Sequence, residues 1–322
     1  MTGSVPADVV DFLGEWFNDS PYLVGHTSGS TGVPKEIRLL KSDMRASARL
    51  TNGVLGIDAT STLLLCLSPS YIAGKMMIVR ALEAGASLIV VEPSSTPLNG
   101  VQETVTMAAM VPMQVLATLR QKDGEQQLLA IKQLLVGGAP LDRATEHRLA
   151  QLPIKTYVTY GMTETVSHVA LRRVGINDGC YEAIGDVTFA TDNRGCLVID
   201  APQLSGRKFV TNDVVSLRDA RHFVWQGRYD NVIMSGGLKY CAEVLEKKIA
   251  EVMHDRYYFT SSPDERLGER IVLVIESAPY EKEKEAQMLA SLTTLLSRYE
   301  IPREVRYCEQ FAVTSSGKVK RG

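Results

Sequence analysis

The chain predicts an α/β fold followed by a second, smaller α+β region, and three observations carry that prediction. Between residues 62 and 136, short strand-like runs alternate with helix-like segments, the pattern of a sheet covered by helices. From about Asp230 onward the alternation gives way to a helix-like stretch, a strand-like run and a charged helix. A length of 322 residues with 45% hydrophobic composition can bury a sizeable core and suggests two domains rather than one.

Taken in order, residues 62–67 and 87–91 read as strands and 73–82 as a helix. The alternation resumes over 101–136. It ends in Leu134-Leu135-Val136-Gly137-Gly138-Ala139-Pro140, a short apolar run whose paired glycines let a flat group come close. Read alone, this is a strand-to-helix turn. The apolar, β-prone run 155–159 delivers Tyr160-Gly161-Met162-Thr163-Glu164-Thr165, as a loop leaving a strand end would. Read alone, that is a strand end with a buried tyrosine and a solvated Glu. In the second region, 242–253 is helix-like, 270–276 strand-like and 281–298 a charged helix, and no internal repeat is evident.

Bulk properties exclude several classes. A formal net charge of -2 argues against nucleic acid as the main partner. The five cysteines, Cys66, Cys180, Cys196, Cys241 and Cys308, are odd in number, widely spaced and without a C-x-x-C pair. They are expected to be reduced thiols, neither a zinc site nor a disulfide framework. No stretch approaches the length that spans a bilayer, and the N-terminus lacks a basic segment followed by an apolar one. The expected location is cytoplasmic, where the sequon Asn18-Asp19-Ser20 has no meaning.

The densest local signal is His26-Thr27-Ser28-Gly29-Ser30-Thr31-Gly32-Val33-Pro34-Lys35. Glycines let backbone N–H groups approach an anion, Ser and Thr hydroxyls add donors, and Lys35 adds charge. A nucleotide triphosphate is the expected ligand. The commoner NTPase loop, G-x-x-x-x-G-K-[ST], does not fit, because Lys35 follows Pro34 and precedes Glu36. The stretch instead resembles the phosphate loop of the adenylate-forming superfamily: acyl-CoA synthetases, luciferases and peptide-synthetase adenylation domains.

Further motifs stand in the order this resemblance requires. Tyr160-Gly161-Met162-Thr163-Glu164 is similar to the family's Y-G-x-T-E. The resemblance implies that Tyr160 stacks on adenine, Thr163 touches the α-phosphate and Glu164 coordinates magnesium, with Gly161 and Met162 completing the loop. Gly138 and Ala139 would border adenine. Thr211-Asn212-Asp213 stands where the family has T-G-D, so Asp213 would hold the ribose hydroxyls, with Asn212 expected to support the turn in a left-handed conformation.

The run Gly227-Arg228-Tyr229-Asp230-Asn231-Val232-Ile233 resembles the segment joining the family's two domains. By that resemblance Arg228 contacts ribose and phosphate and Asp230 is the hinge. The loop Ser235-Gly236-Gly237-Leu238-Lys239 would line the pantetheine channel. At the C-terminus, Thr314-Ser315-Ser316-Gly317-Lys318-Val319-Lys320-Arg321 is similar to the family's closing motif, which makes Lys318 the expected catalytic lysine. Alone, such a basic run is a solvated tail.

The resemblance therefore implies the adenylate-forming fold, with a large N-terminal α/β domain over 1–229 and a small mobile α+β domain over 230–322. About two dozen residues precede the phosphate loop, where family members carry a further subdomain, so the large domain is expected to be shortened at its N-terminus. That departure leaves part of the acyl-pocket wall and the oligomeric state open, a homodimer included.

For the acid, the compact length, the segment Phe12-Leu13-Gly14-Glu15-Trp16-Phe17, the stretch from Met44 to Thr51 and the Ser235-Gly236-Gly237-Leu238-Lys239 variant are together similar to o-succinylbenzoate-CoA ligases of menaquinone synthesis. Ser68-Pro69-Ser70-Tyr71-Ile72-Ala73-Gly74-Lys75 and the following run to Arg80 align with the family's acyl-pocket motif, placing Tyr71 at the pocket. Lys75 and Arg80 are cations in an otherwise apolar run, and one of them is expected to meet the acid's second carboxylate. The plainer reading is that both snorkel from an amphipathic helix. Ser167 and His168 are expected to face the same pocket, though a satisfied structural histidine reads as well.

Two half-reactions are implied. The acid attacks ATP to give acyl-adenylate, and CoA takes the acyl group after the small domain rotates about Asp230. Two alternatives stay open: a stand-alone adenylation enzyme that loads an aryl or amino acid onto a carrier protein, and a nucleotide-binding protein that has lost catalysis.

Overall fold

The computed structural model describes residues 5–27, 35–176, 179–313 and 319–321. Contacts divide the chain into two compact units. The first holds Met1–Phe189, Ile199–Phe209 and Arg218–Phe223, and the second holds Ala190–Val198, Val210–Leu217 and Val224–Gly322.

The first unit opens with helix α1 (Ala7–Phe17), which buries Val9, Phe12 and Trp16 at helical spacing. Strands β1 (Tyr22–Thr27) and β2 (Lys35–Leu40) pair antiparallel, from Tyr22 opposite Leu40 to Thr27 opposite Lys35. Then come α2 (Lys41–Leu55), β3 (Thr62–Leu65), α3 (Ile72–Ala84), β4 (Ser87–Val90) and β5 (Val105–Met110). After them follow α4 (Pro112–Leu119), α5 (Gly124–Leu129), β6 (Ile131–Val136), α6 (Arg143–Gln151), β7 (Lys155–Gly161), β8 (His168–Arg173) and β9 (Cys180–Ala183).

Strands β4, β3, β5, β6 and β7 lie parallel in that order, and β8 and β9 continue antiparallel. Strands covered on both faces read as unbroken apolar runs. Leu63, Leu64 and Leu65 on β3 and Leu134, Leu135 and Val136 on β6 are accordingly all buried. Helix α6 starts where Asp142 accepts a hydrogen bond from the Thr145 N–H at 2.9 Å, a cap worth about 1 kcal/mol. In such sheets ligands sit beyond the carboxyl ends of the parallel strands. Here those ends of β6 and β7 deliver Gly137-Gly138-Ala139 and Met162-Thr163-Glu164.

A meander follows: β10 (Thr188–Thr191), β11 (Cys196–Ala201), β12 (Arg207–Asp219) and β13 (His222–Arg228), neighbours in sequence order. The sequence reading marks only motif loops between 168 and 228, because short antiparallel strands of mixed polarity carry little periodic signal. One expectation is corrected here. Asn212 lies inside the continuous strand β12, and among the described residues the only non-glycine positive φ values belong to Val166 and Ser205. Its amide works through its side chain instead, accepting from Arg194 Nη1 at 2.9 Å and donating to Asp230 at 3.3 Å.

The second unit continues with β14 (Val232–Ser235), β15 (Leu238–Cys241), α7 (Ala242–Ile249), β16 (Tyr257–Asp264), β17 (Gly268–Glu276), α8 (Lys282–Leu295) and β18 (Glu304–Cys308). The sheet runs β15, β14, β17, β16, with β18 parallel to β17. Ile233, Leu245, Ile249, Phe259, Leu273, Ile275 and Leu292 form its core.

Arg321 closes this unit's tail. Its guanidinium meets Glu246 of α7 through two hydrogen bonds, 2.6 and 2.9 Å, and lies 3.7 Å from Glu243. Removing one partner of a largely buried pair strands the other charge. Arg321→Met is therefore expected to cost about 3 kcal/mol. Guanidinium unfolding of the variant checks this, and an unchanged midpoint would refute it. Among the described residues no helix is long and apolar enough to cross a membrane.

Candidate active site

Two backbone approaches shape the loops that follow β6 and β7 in the first unit. A Cβ on Gly137 would lie 2.2 Å from Thr159 Oγ1, and one on Gly161 would lie 2.4 Å from Ser167 O and 2.6 Å from His168 Cα. At Gly161 the neighbours are backbone atoms, so that site requires glycine, whereas at Gly137 the neighbour is a side-chain hydroxyl. Gly138 and Ala139 follow β6 on the exposed surface. Tyr160, half-buried near the end of β7, packs edge-on against Tyr181 and Phe223 at 5.7 and 5.0 Å between ring centres. That aromatic support fixes a ring suited to stacking on a base.

Met162, Thr163 and Glu164 form the turn between β7 and β8, with Met162 and Thr163 half-buried and Glu164 exposed. The Val166 N–H donates to Thr163 O at 3.0 Å and the Thr165 N–H to Met162 O at 3.2 Å. Among the described residues no group of three or more His, Cys, Asp or Glu could hold a metal by itself. A magnesium ion bound through one exposed carboxylate and the phosphates of a nucleotide suits this donor set, since that ion keeps several waters and favours phosphate oxygens.

Beside this turn lies a buried polar chain. Arg80 on α3 is 2% exposed, so it does not snorkel to the surface. Its Nη2 donates to Ser167 Oγ at 2.6 Å, its Nη1 faces Met77 Sδ at 3.6 Å, and its Nε is buried without a partner. No carboxylate among the described residues pairs with it. Burial pulls its guanidinium down to about 10, still protonated at neutral pH. Lys75, five residues earlier, lies 3.7 Å from Glu15 and 5.0 Å over the Phe12 ring. Of the two cations, only Arg80 has no carboxylate partner among the described residues. Tyr71 caps the same helix and is 72% exposed.

Ser167 Oγ lies 3.5 Å from His168 Nδ1, and His168 Nε2 lies 3.0 Å from Thr51 Oγ1. Thr51 donates to Ser47 O at 3.1 Å, so its oxygen accepts from His168, which places the imidazole proton on Nε2. Asn52 donates to Arg80 O at 2.9 Å. The structure thus brings Arg80, Ser167 and His168 together, and adds Thr51 and Asn52, to which the sequence reading gave no site role. A polar Thr-Asn pair on the buried face of an amphipathic helix was the available signal.

Burial, and then the charge of Arg80, hold the His168 imidazole well below its ordinary 6.5. The folded chain refuses a proton that the unfolded chain accepts, so stability is lost as pH falls below 6.5 and is flat above it. Between pH 7.5 and 5.5 the wild type is expected to lose about 1.4 kcal/mol more than His168→Gln. Urea midpoints at the two pH values test this, and parallel losses would refute it.

In the second unit, Asp213 is 9% exposed and accepts from its own chain's Trp225 Nε1 at 3.2 Å. Arg228 Nη1 lies 3.6 Å from Asp213 and its Nη2 donates to Asp230 at 3.0 Å. Arg194 joins the group through Asn212 and Thr211, its guanidinium 5.1 Å from the Tyr229 ring centre. Asp213, Arg228 and Asp230 therefore belong to one ion-pair cluster, a polar surface suited to hydroxyls and an anion. Gly236 and Gly237, with φ of 60° and 81°, make a two-residue hairpin turn between β14 and β15 that needs left-handed backbone at both positions.

Ser28, Gly29, Ser30, Thr31, Gly32 and Lys318 lie outside the described residues. Around them, Thr27 and Lys35 face each other across the β1–β2 pair, and Val313 bridges to Val319.

A family model described as AMP-binding enzyme matches residues 14–205. A probable 2-succinylbenzoate–CoA ligase from Mycobacterium tuberculosis is 28% identical over 282 residues, covering 82% of this chain and 73% of that one. A feruloyl-CoA synthase from Amycolatopsis is 26% identical over 349 residues, covering 94% and 69%. Among solved structures, an acyl-CoA synthetase (AMP-forming)/AMP-acid ligase II-like protein from Dyadobacter fermentans is 34% identical. It covers 99% of this chain and 95% of its own, with a TM-score of 0.67.

Proposed function

The chain belongs to the AMP-binding enzyme family, and from that premise we propose that it is an o-succinylbenzoate-CoA ligase serving menaquinone synthesis. The enzyme class is acid–thiol ligase, AMP-forming, with the adenylate-forming fold. The acid is the finer step, and one observation carries it: Arg80 is a buried cation with an unpartnered Nε and no carboxylate pair among the described residues. Buried cations seldom lack an anion. An aromatic acid with a second carboxylate supplies one. A relative named for 2-succinylbenzoate supports the same reading.

In the proposed reaction one carboxylate of the acid attacks the α-phosphorus of ATP and expels pyrophosphate. Tyr160 stacks on adenine beside Gly138 and Ala139, Thr163 contacts the α-phosphate, and the loop from Thr27 to Lys35 holds the outer phosphates. Magnesium held by Glu164 would neutralise the leaving group's charge. Asp213 and Arg228 take the ribose, and Lys318 bridges the two reacting anions. The region 230–322 then turns about Asp230 as a domain against 1–229, withdrawing Lys318 and bringing Gly236 and Gly237 to the CoA channel. The CoA thiol attacks the acyl carbonyl, and thioester and AMP leave.

A second acid has its own support, since feruloyl-CoA synthase is also a relative. Ferulate has no second carboxylate to meet Arg80. The test is ATP- and CoA-dependent AMP release with o-succinylbenzoate, ferulate, benzoate, salicylate and a medium-chain fatty acid, with Lys318→Ala as control. Strong selectivity for o-succinylbenzoate, lost in the variant, is the expected result. Preference for ferulate or another acid would overturn the acid assignment. Adenylate formation without transfer to CoA would point to a carrier protein as acceptor.

A further inference from the structure

We propose that Thr165 is a positioning residue that ties the magnesium-side turn to the subsite for the acid's second carboxylate, an inference that rests on the function proposed above. Thr165 is fully buried. Its Oγ1 accepts the Met162 N–H at 3.0 Å and lies 3.0 Å from Met162 O and 2.7 Å from Ser167 O. A hydroxyl has one proton, so it serves one of those carbonyls at a time while remaining acceptor for Met162. One side chain thus holds both ends of the turn.

The turn needs such a tie. Val166 has φ of 56°, a conformation that a β-branched residue adopts only when its surroundings enforce it. Its side chain is 1% exposed. Ser167 N–H also closes on Thr165 O at 2.6 Å. On the near side of the tie stand Thr163 and Glu164, and on the far side Ser167 accepts from Arg80 at 2.6 Å. Releasing the tie therefore moves Glu164 and the Arg80 partner together.

Thr165→Val keeps the shape and removes the hydroxyl, and Thr165→Ser keeps the hydroxyl and removes a methyl. Calorimetric binding of ATP with magnesium, and of ATP in chelator, is measured alongside the ratio of kcat/KM for o-succinylbenzoate to that for benzoate. The valine variant is expected to bind magnesium–ATP at least tenfold more weakly, with binding in chelator changed less than twofold. Its acid preference is expected to fall at least tenfold, and serine to stay within threefold of wild type on both readouts. Thr165→Cys, which keeps the volume and a weak donor, carries the same comparison if the valine variant does not fold.

A lower unfolding temperature with both readouts unchanged would make Thr165 merely structural and overturn the proposal. A shift in metal-dependent binding alone, in a selective wild type, would overturn the tie. A wild type indifferent between the two acids would remove the acid assignment, and a flat metal-dependent comparison would still overturn the positioning role.

Discussion

Arg80→Met is expected to lower kcat/KM for o-succinylbenzoate by about 100-fold or more, while benzoate turnover changes little and the protein becomes no less stable. The two halves of this expectation have one cause. In the wild type the guanidinium is buried, meets no carboxylate among the described residues, and keeps Nε without a partner. Such a group offers the ligand a desolvated charge-assisted bond, and truncating one partner of a buried charge pair costs about 2–5 kcal/mol. Without ligand the same group carries an uncompensated desolvation cost, so an unbranched apolar side chain of similar length relieves it. Arg80→Lys keeps charge but not the planar fork, and is expected to fall between. Equal loss for both acids, together with a lowered unfolding midpoint, would make Arg80 a structural residue.

Gly161→Ala is expected to have the opposite profile: loss of stability of about 1–3 kcal/mol and loss of activity with every acid. The added Cβ would meet backbone atoms of Ser167 and His168, which no rotamer change can move aside. The β7–β8 pair, whose register already shifts between Tyr160 and Gly161, must open to admit it. Met162 through Glu164 would shift with it. Gly137→Ala is the milder control, because its Cβ meets a threonine hydroxyl that can rotate. Denaturation midpoints and ATP–pyrophosphate exchange of both variants check the order. A harmless alanine at 161 would refute this view of the turn.

The turns of the candidate site were legible in sequence wherever neighbouring residues shape them together. Tyr160 to Glu164, Gly137 with Gly138, and Gly236 with Gly237 are local units, because a turn's backbone demands and a loop's donors depend on a few consecutive residues. The parallel strands were legible for a similar reason: two-sided burial writes itself as an unbroken apolar run, as in Leu63 to Leu65. Helix α3 extends from Ile72 to Ala84, a little beyond the expected 73–82, since helix ends depend on caps as well as on periodicity.

Partnership was not legible. Lys75 and Arg80 stand five residues apart on one helix and read alike, yet Glu15 from α1 pairs with one and, among the described residues, no carboxylate reaches the other. His168 meets Thr51, 117 residues away in the chain, which sets its tautomer, while burial and then the charge of Arg80 hold its imidazole well below its ordinary 6.5. Asn212 reads as a turn residue until Arg194 and Asp230 draw its amide into a strand-borne ion-pair cluster. Burial, charge compensation and proton placement are properties of what surrounds a group in space, and only the folded chain assembles those surroundings.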